Sequence, residues 1–311
     1  QPMNTLTLPT QELRDAFGEN LKENEPLARH TSSRIGGPAD FLITVNSSKG
    51  LADAILQLAQ LSVQFEILGG GSNLLVSDAG FRGVVILNKA RNMRFAEVGN
   101  TPSVFAESGS NFGALARKAA QKGFAGLEWA GGIPGTLGGA IFGNAGAHGS
   151  EIADNLVLAE VLHIEKGKQT WKNNQFGFQY RNSVLNDSQG KVFVLSATLA
   201  LETGNAKEIE AKMDEYVSFR RKTQPPGASM GSMFKNPDGD FAGRLIDAAG
   251  LKGKQIGAAQ ISELHGNFFL NHGNAMAEDV YTLLKFAQKT VAEKFNVNLK
   301  FEIQLFGEWN E

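Results

Sequence analysis

Two glycine-rich segments are the first candidates for chemistry in this sequence. The first, residues 68–75, follows an apolar run and reads Leu-Gly-Gly-Gly-Ser-Asn-Leu-Leu. Its backbone amides could turn inward around a pyrophosphate, but the segment matches neither the GxGxxG dinucleotide motif nor the lysine-bearing P-loop. A tight glycine turn without a ligand explains the pattern equally well.

The second segment, residues 129–149, has glycine or alanine at nearly every second or third position. Small side chains let the backbone approach a flat or polyanionic ligand, and Ile133 and Ile141 could pack against a ring system. A flexible crossover loop would not need so many apolar residues. The pattern therefore favours a segment that wraps a ligand.

Residues 227–231, Gly-Ala-Ser-Met-Gly, suggest a rival chemistry because they fit the GxSxG motif of serine hydrolases. Ser229 would be the nucleophile, and the later Asp247 and His265 would complete a triad. A nucleophile elbow requires a strand before the serine and a helix after it. A proline pair at 225–226 precedes this serine instead, so the context argues against a hydrolase.

Further motifs follow in order along most of the chain. They are RIGGPAD at 34–40, LGGGSNLLV at 68–76, GIPGTLGGAIFGNAGAHG at 132–149, YRNS at 180–183, GSMFKNP at 231–237, GRLI at 243–246, AGLKG at 249–253, SELHGNF at 262–268 and FEI at 301–303. Together they resemble the UDP-N-acetylenolpyruvoylglucosamine reductase family over residues 27–307. Several independent motifs in one order argue against a chance match.

The resemblance implies an α+β fold, with a two-lobed FAD-binding part of the vanillyl-alcohol-oxidase/PCMH type and a third, α/β substrate-binding domain. It implies non-covalent FAD, NADPH as co-substrate, and UDP-N-acetylglucosamine enolpyruvate as the small-molecule substrate. The product would be UDP-N-acetylmuramate, a peptidoglycan precursor. The stretch 182–206 is too short for the tyrosine-bearing substrate loop of one subclass, so the chain resembles the subclass that lacks it.

By this resemblance, three residues carry the chemistry. Hydride arriving at the enolpyruvyl group leaves negative charge on the carbon beside a carboxylate. Arg181 and Glu302 would hold and polarise that carboxylate, which requires Glu302 to be protonated or to share a proton. Ser232 would donate a proton to the carbon, because a carbanion-like centre can take it from a hydroxyl already in contact. Without the resemblance, each would be interpreted as an ordinary surface or turn residue.

The resemblance also assigns binding residues. No metal site is expected, because the chain has no cysteine and its five histidines lack HExxH-type spacing. The expected FAD contacts are Arg34, Gly69, Gly70, Gly71, Ser72, Asn73, Gly132, Ile133, Gly135, Thr136, Gly138, Gly139, Asn144 and Ala145. The expected substrate contacts are Tyr180, Lys222, Lys235, Asn236, His265 and Asn267. Two positions depart from the family pattern, since Phe301 stands where proline is common and Ala147 where some members have cysteine.

Two other flavin-based functions stay open at this point. One is an FAD-dependent oxidase or dehydrogenase of another sugar or alcohol, which the motifs after residue 224 disfavour. The other is a non-catalytic flavin- or nucleotide-binding module, which gives no reason for Arg181, Ser232 and Glu302 to occur together. Reoxidation of the reduced flavin by the enolpyruvyl substrate would separate the reductase from both.

Hydrophobic periodicity predicts the elements that position these residues. Helices are predicted at 48–61, 112–123, 206–222 and 278–295, and strands at 39–45, 65–68, 83–87, 155–164 and 192–201. A last strand is predicted at 299–306, with Leu299, Phe301, Ile303 and Leu305 on one face and Glu302 on the other. The predicted units are 1–92 and 93–223 for FAD, 224–298 for substrate, and 299–311 as a strand returning to the active site.

Composition limits the class of partner. The chain has 311 residues, a formal net charge of -2, a pI near 6.3 and no cysteine. It lacks the concentrated basic face that binds nucleic acid, and no run of about 20 apolar residues could cross a bilayer. Residues 1–4 lack the basic and apolar parts of a targeting signal. We expect a cytoplasmic monomer that binds neither nucleic acid nor membrane.

Overall fold

The computed structural model describes residues 8–98, 101–188 and 190–309. The prediction about a targeting signal concerns residues 1–4, which lie outside the described residues. None of the described helices is long and apolar enough to span a bilayer.

The first group of elements builds a mixed sheet with one helix packed on it. The elements are α1 (Thr10–Phe17), β1 (Lys22–Pro26), β2 (Pro38–Val45), α2 (Ser48–Gln60), β3 (Phe65–Leu68), β4 (Leu74–Val76) and β5 (Phe81–Asn88). The sheet order is β1-β2-β5-β3, in which β1 is antiparallel to β2 while β2 and β3 run parallel to β5. The predicted helix at 48–61 is confirmed as α2, because Ser47 caps its first turn and Leu51, Ile55 and Leu58 are fully buried.

The second group builds a five-stranded antiparallel sheet. The elements are β6 (Met93–Val98), β7 (Thr101–Glu107), α3 (Phe112–Gln121), β8 (Phe124–Ala125), α4 (Leu137–Phe142), β9 (Gly146–Ala147), β10 (Ser150–Glu151), α5 (Ile152–Asn155), β11 (Leu156–His163), β12 (Gly167–Lys172), β13 (Val192–Ala200), β14 (Glu202–Thr203) and α6 (Ala206–Thr223). The order is β12-β11-β13-β7-β6. The predicted helices at 112–123 and 206–222 and strands at 155–164 and 192–201 are confirmed, whereas β6, β7 and β12 were not predicted.

The third group combines a small sheet with a long helix. The elements are α7 (Ala242–Ala248), β15 (Gln255–Ile256), β16 (Ala259–Ile261), β17 (Phe269–Asn271), α8 (Ala277–Phe295) and β18 (Gln304–Phe306). The predicted helix at 278–295 is confirmed as α8, while the sheet order is β15-β16-β17. β18 does not join this sheet; it pairs in parallel with β4 of the first group.

The predicted continuous strand at 299–306 is wrong in its extent. Phe301 forms only an isolated bridge with Phe234, and the ladder with β4 begins at Gln304. Because the segment changes partners between these points, its alternation breaks: Ile303 is buried, whereas Leu305 is 39% exposed. The register of a strand does not continue from an isolated bridge on one side of the chain to a ladder with a different partner.

The groups share packing where they meet. The core around α8 includes Leu75 of the first group, and the core around α2 includes Leu195 of the second sheet. Asp78 also caps α8, accepting hydrogen bonds from the N–H groups of Ala277 at 2.8 Å and Glu278 at 3.0 Å. The division into four units stays a prediction.

Candidate active site

The two glycine-rich segments meet in space. A Cβ atom on Gly70 would lie 2.7 Å from the Gly135 Cα, and one on Gly135 would lie 2.7 Å from the Ser72 Oγ. A Cβ on Gly69 would lie 2.6 Å from the Thr136 Oγ1. Only residues without a Cβ allow this approach, so glycines keep the junction narrow and free of bulky side chains. Such a surface suits a ligand that must come close to backbone amides.

The second glycine-rich segment contains a short helix, α4. This helix was not predicted, because glycine has a low helix propensity. Thr136 caps it, since its Oγ1 accepts a hydrogen bond from the Gly139 N–H at 3.3 Å, and the Gly138 N–H donates to the Ser108 carbonyl at 2.8 Å. The expectation that Ile141 packs against a ligand ring is wrong, because α4 turns this side chain fully into the protein core. Ile133 is only partly buried.

Arg181 lies beside the end of the second glycine-rich segment, in a left-handed conformation with φ +51°. Its Nη2 donates to the Gly146 carbonyl at 2.6 Å and its Nη1 to the Asn144 carbonyl at 3.5 Å. Its Nε donates to Glu302 Oε1 at 3.0 Å. The guanidinium is therefore held at a fixed place against one carboxyl group.

Glu302 is held from two directions by its backbone. Its carbonyl accepts a hydrogen bond from the Asn73 side chain at 3.1 Å, and Asn73 belongs to the first glycine-rich segment. Its N–H donates to the Met233 carbonyl at 2.9 Å, one residue after Ser232. A Cβ on Gly231, the residue before Ser232, would lie 3.8 Å from the Ser72 carbonyl oxygen. The segments carrying Arg181, Ser232 and Glu302 thus converge at the glycine junction.

Lys235, Asn236 and Tyr180 surround this cluster. The Lys235 Nζ donates to the Arg181 carbonyl at 3.1 Å, and the Asn236 N–H donates to the Tyr180 hydroxyl at 3.4 Å. The Tyr180 ring lies 5.4 Å from the Arg181 guanidinium carbon, yet the residue is 51% exposed. Tyr180 therefore lies at the mouth of the cluster, where a substrate could reach it.

Burial has the largest effect on the pKa of the Glu302 carboxyl group. Its side chain is 19% exposed, and desolvation raises the pKa of the carboxyl above its usual value although Arg181 and Lys235 oppose the shift. A carboxyl with a raised pKa stays protonated to a higher pH than an exposed glutamate does. The neutral acid can donate a hydrogen bond to an anion, which the carboxylate cannot.

Comparison with known proteins identifies the family. The UDP-N-acetylenolpyruvoylglucosamine reductase of Caldanaerobacter subterraneus is 45% identical over 300 residues, covering 94% of this chain and 98% of that protein. The chain belongs to the UDP-N-acetylenolpyruvoylglucosamine reductase family. The reductase of Bacillus subtilis is 42% identical over 96% of this chain and 97% of its own length. The crystal structure of the Thermus caldophilus reductase, MurB, superimposes with a TM-score of 0.75 at 35% identity, over 92% of this chain and 98% of that one.

Two domain families match different parts of this reductase. Residues 39–172 match an FAD binding domain, and residues 223–306 match the C-terminal domain of UDP-N-acetylenolpyruvoylglucosamine reductase. The first match contains both glycine-rich segments, and the second contains Ser232 and Glu302. The expected α+β fold and the FAD-dependent oxidoreductase class are confirmed. The residues at the junction fit FAD, because its glycines leave backbone amides uncovered by bulky side chains, as binding of a cofactor pyrophosphate requires.

Replacing Gly70 by alanine will weaken FAD binding in this reductase. The new methyl group would lie 2.7 Å from the Gly135 Cα, so the two segments must separate, at a cost of about 1–3 kcal/mol. Flavin fluorescence titration of the apoprotein measures the affinity, and thermal unfolding measures the stability. Gly143→Ala is the matched control, because Gly143 is not an expected FAD contact and a Cβ there meets only the Gly139 carbonyl oxygen at 3.7 Å. Equal FAD affinity in both variants would contradict the role of the junction.

The structure places three other predicted FAD contacts in different surroundings. Asn144 is fully buried, with its side chain bonded to the Gln179 carbonyl at 2.9 Å and the Ala153 N–H at 3.3 Å. Gly71 packs against the backbone of another segment, since a Cβ there would lie 2.2 Å from the His30 carbonyl oxygen. Arg34 is exposed in a left-handed turn. The FAD contacts of Ala145, Gly132 and the remaining positions stay predictions.

Three of the predicted substrate contacts lie where the structure gives less support for substrate binding. Lys222 is exposed, and no described hydrogen bond or ion pair joins it to the cluster. His265 is half-buried, and its Nδ1 accepts a hydrogen bond from the Asn267 N–H at 3.1 Å. The prediction that Asn267 binds substrate is wrong, because this residue is 4% exposed and both its amide atoms bind the Phe234 backbone.

Arg220 is a candidate that the sequence did not single out. It is half-buried on α6, and its Cδ would lie 3.9 Å from a Cβ on Gly132. Burial lowers the pKa of the Arg220 guanidinium, and among the described residues it has neither an ion pair nor a side-chain hydrogen bond. A desolvated cation is costly without an anion, so this position beside a glycine-rich segment suits an anionic ligand. The only signal in the sequence was its place in the basic end of α6.

The geometry does not support the serine hydrolase. Asp247 pairs with Lys252 at 2.7 Å and the His265 Nδ1 is occupied by Asn267, so neither is joined to Ser229 in the described structure. Ser229 lies in an irregular segment, and the next helix, α7, starts only at residue 242. The strand–turn–helix geometry that a nucleophile elbow needs is therefore missing here.

Proposed function

We propose that this reductase converts UDP-N-acetylglucosamine enolpyruvate to UDP-N-acetylmuramate with NADPH as the electron donor. The observation that supports it most is the Arg181–Glu302 pair, held beside the Ser232 segment at the junction of the two glycine-rich segments. Bound FAD supplies the transfer of hydride from NADPH to the terminal carbon of the enolpyruvyl group. The protein must then manage the charge that this transfer creates.

Arg181 and Glu302 stabilise that charge. When hydride adds to the terminal carbon, the electron pair of the double bond moves onto the neighbouring carbon and into its carboxylate. The Arg181 guanidinium offers positive charge, and protonated Glu302 offers an O–H donor to the same carboxylate. Lys235 adds positive charge beside Arg181. Fixed donors of this kind need no reorganisation during the reaction.

Ser232 completes the reduction by giving its hydroxyl proton to the negative carbon. The hydroxyl is a poor acid in water, but the carbon is a strong base and can take the proton from a hydroxyl held in contact with it. The serine regains its proton from solvent afterwards. The balance is one hydride and one proton added across the double bond, with NADPH oxidised to NADP⁺.

An anaerobic flavin titration tests cofactor, donor and acceptor together. The purified protein is expected to be yellow, to bleach with NADPH, and to regain its colour with the enolpyruvyl substrate. An oxidase would instead be bleached by a sugar or alcohol and would not be reoxidised by the enolpyruvyl ether. A colourless protein that releases no flavin on denaturation would exclude every flavin-based function.

We also propose that the reductase works in the cytoplasm as a monomer of 33.4 kDa, without nucleic acid or membrane. A formal net charge of -2 offers little attraction to phosphate backbones or anionic lipid. Light scattering after gel filtration should give the mass of one chain. A mass of two chains would contradict the proposed monomer.

A further inference from the structure

The segment that carries Ser232 is bonded on both sides to neighbouring backbone. On one side the Met233 carbonyl accepts the Glu302 N–H at 2.9 Å. On the other side the Met233 N–H donates to the Asn267 carbonyl at 2.9 Å, and Ser232 forms a bridge with Phe268. The position of Ser232 therefore depends on how firmly these neighbours hold the segment.

The next residue, Phe234, is held by a side chain. Its N–H donates to Asn267 Oδ1 at 2.9 Å, and its carbonyl accepts a hydrogen bond from Asn267 Nδ2 at 2.8 Å. The amide of Asn267 thus pairs with the Phe234 backbone as a residue of an adjacent strand would. Together with its carbonyl, Asn267 satisfies three backbone groups of the two residues that follow Ser232.

Water cannot readily replace these bonds. Asn267 is 4% exposed, and Met233 and Phe234 are fully buried. Removal of the amide would leave a buried N–H and a buried carbonyl without partners, which is costly. The segment would then shift to find new partners, and Ser232 would move with it.

We propose that Asn267 is a positioning residue for proton transfer from Ser232. The proposal rests on the proposed function and deepens it. Both amide atoms of Asn267 bind Phe234, so the residue acts through the backbone and not on the substrate. By fixing the two residues after Ser232, it holds the hydroxyl at one distance from the reacting carbon. A displacement of about 1 Å in such an arrangement can slow a reaction about 100-fold.

The Asn267→Ala variant gives the first test. In single-turnover experiments we expect reduction of its flavin by NADPH to stay within about twofold of the parent, while reoxidation by the enolpyruvyl substrate slows about 10-fold to 100-fold. Under steady state, kcat should fall more than KM rises, because the contacts that bind the substrate are untouched. A general loosening of the fold would impair both half-reactions.

The Asn267→Asp variant gives a second test, which does not depend on the stability of the alanine variant. An ionised Asp keeps one oxygen that accepts the hydrogen bond from the Phe234 N–H. Its second oxygen replaces the Asn267 Nδ2 donor, and this oxygen and the Phe234 carbonyl oxygen repel each other. Protonation restores a donor at that place, and burial raises the pKa of the carboxyl. Reoxidation should therefore recover toward the parent rate as the pH falls, with rates compared at each pH, and Asn267→Ala should show no such recovery.

Asn155→Ala is the matched control. Asn155 is also buried, with its Oδ1 bonded to the Trp129 ring N–H at 3.1 Å and its Nδ2 bonded to the Gly126 carbonyl at 3.1 Å. This variant should melt earlier without changing the ratio of the two half-reaction rates. Parent-like reoxidation in both Asn267 variants, or equal slowing of both half-reactions, would overturn the proposal. If the parent itself is not reoxidised by the enolpyruvyl substrate, the proposed function fails instead.

Discussion

Replacement of Ser232 by alanine is expected to leave flavin reduction by NADPH intact and to slow reoxidation by the enolpyruvyl substrate about 100-fold to 10,000-fold. Only the second half-reaction forms a negative carbon that needs a proton. The Ser232 segment is tied to Glu302 through the Met233 carbonyl. Loss of the hydroxyl therefore removes the acid at the place where the charge develops, without disturbing the backbone.

Stopped-flow absorbance of the flavin separates these two steps. Ser229→Ala is the matched control, since Ser229 lies three residues earlier in the same segment. Among the described residues, only its backbone carbonyl is bonded, to the Ser32 hydroxyl at 2.7 Å. It should behave like the parent, whereas a hydrolase would lose its nucleophile. Normal turnover in Ser232→Ala would end the assignment of the proton donor.

Substitution of Glu302 should have the second large effect. Glu302→Ala should lower the rate of reoxidation about 100-fold to 1,000-fold, as is usual when a donor to developing negative charge is removed. Glu302→Gln should lose less, because its amide N–H can still donate a hydrogen bond to the substrate carboxylate. The reverse order of the two variants would show that the carboxylate, and not the neutral acid, is the working form.

The pH dependence follows from the same carboxyl group. Burial raises the pKa of Glu302, so the neutral acid persists to a higher pH than in an exposed glutamate. The reoxidation rate should be highest below this raised pKa and should fall as the pH rises through it. Glu302→Gln should lose that decline, because it has no proton to release. Glu263→Gln, a change at an exposed carboxylate, should leave the profile unchanged.

The motifs and the main helices could be predicted from the sequence because their signals are local. The amphipathic period of nearby residues predicts α2, α6 and α8. The composition of the glycine-rich segments alone indicates that backbone can approach backbone closely there. Arg181, Ser232 and Glu302 were found through motif resemblance, although each residue type alone is common at surfaces. The helix α4 was missed, because its glycines lower the helix propensity of a segment that tertiary packing stabilises.

By itself, the sequence determined the family, the FAD-binding part and the three candidate catalytic residues. Only the tertiary structure decided which partner each residue meets. Ile141 belongs to the core and Asn267 to the Phe234 backbone, while Arg220 lies beside Gly132. These outcomes depend on contacts between residues far apart in the chain. The type and spacing of the residues in the sequence indicate what their side chains can bind. Packing in the tertiary structure determines which side-chain atoms remain free to bind it.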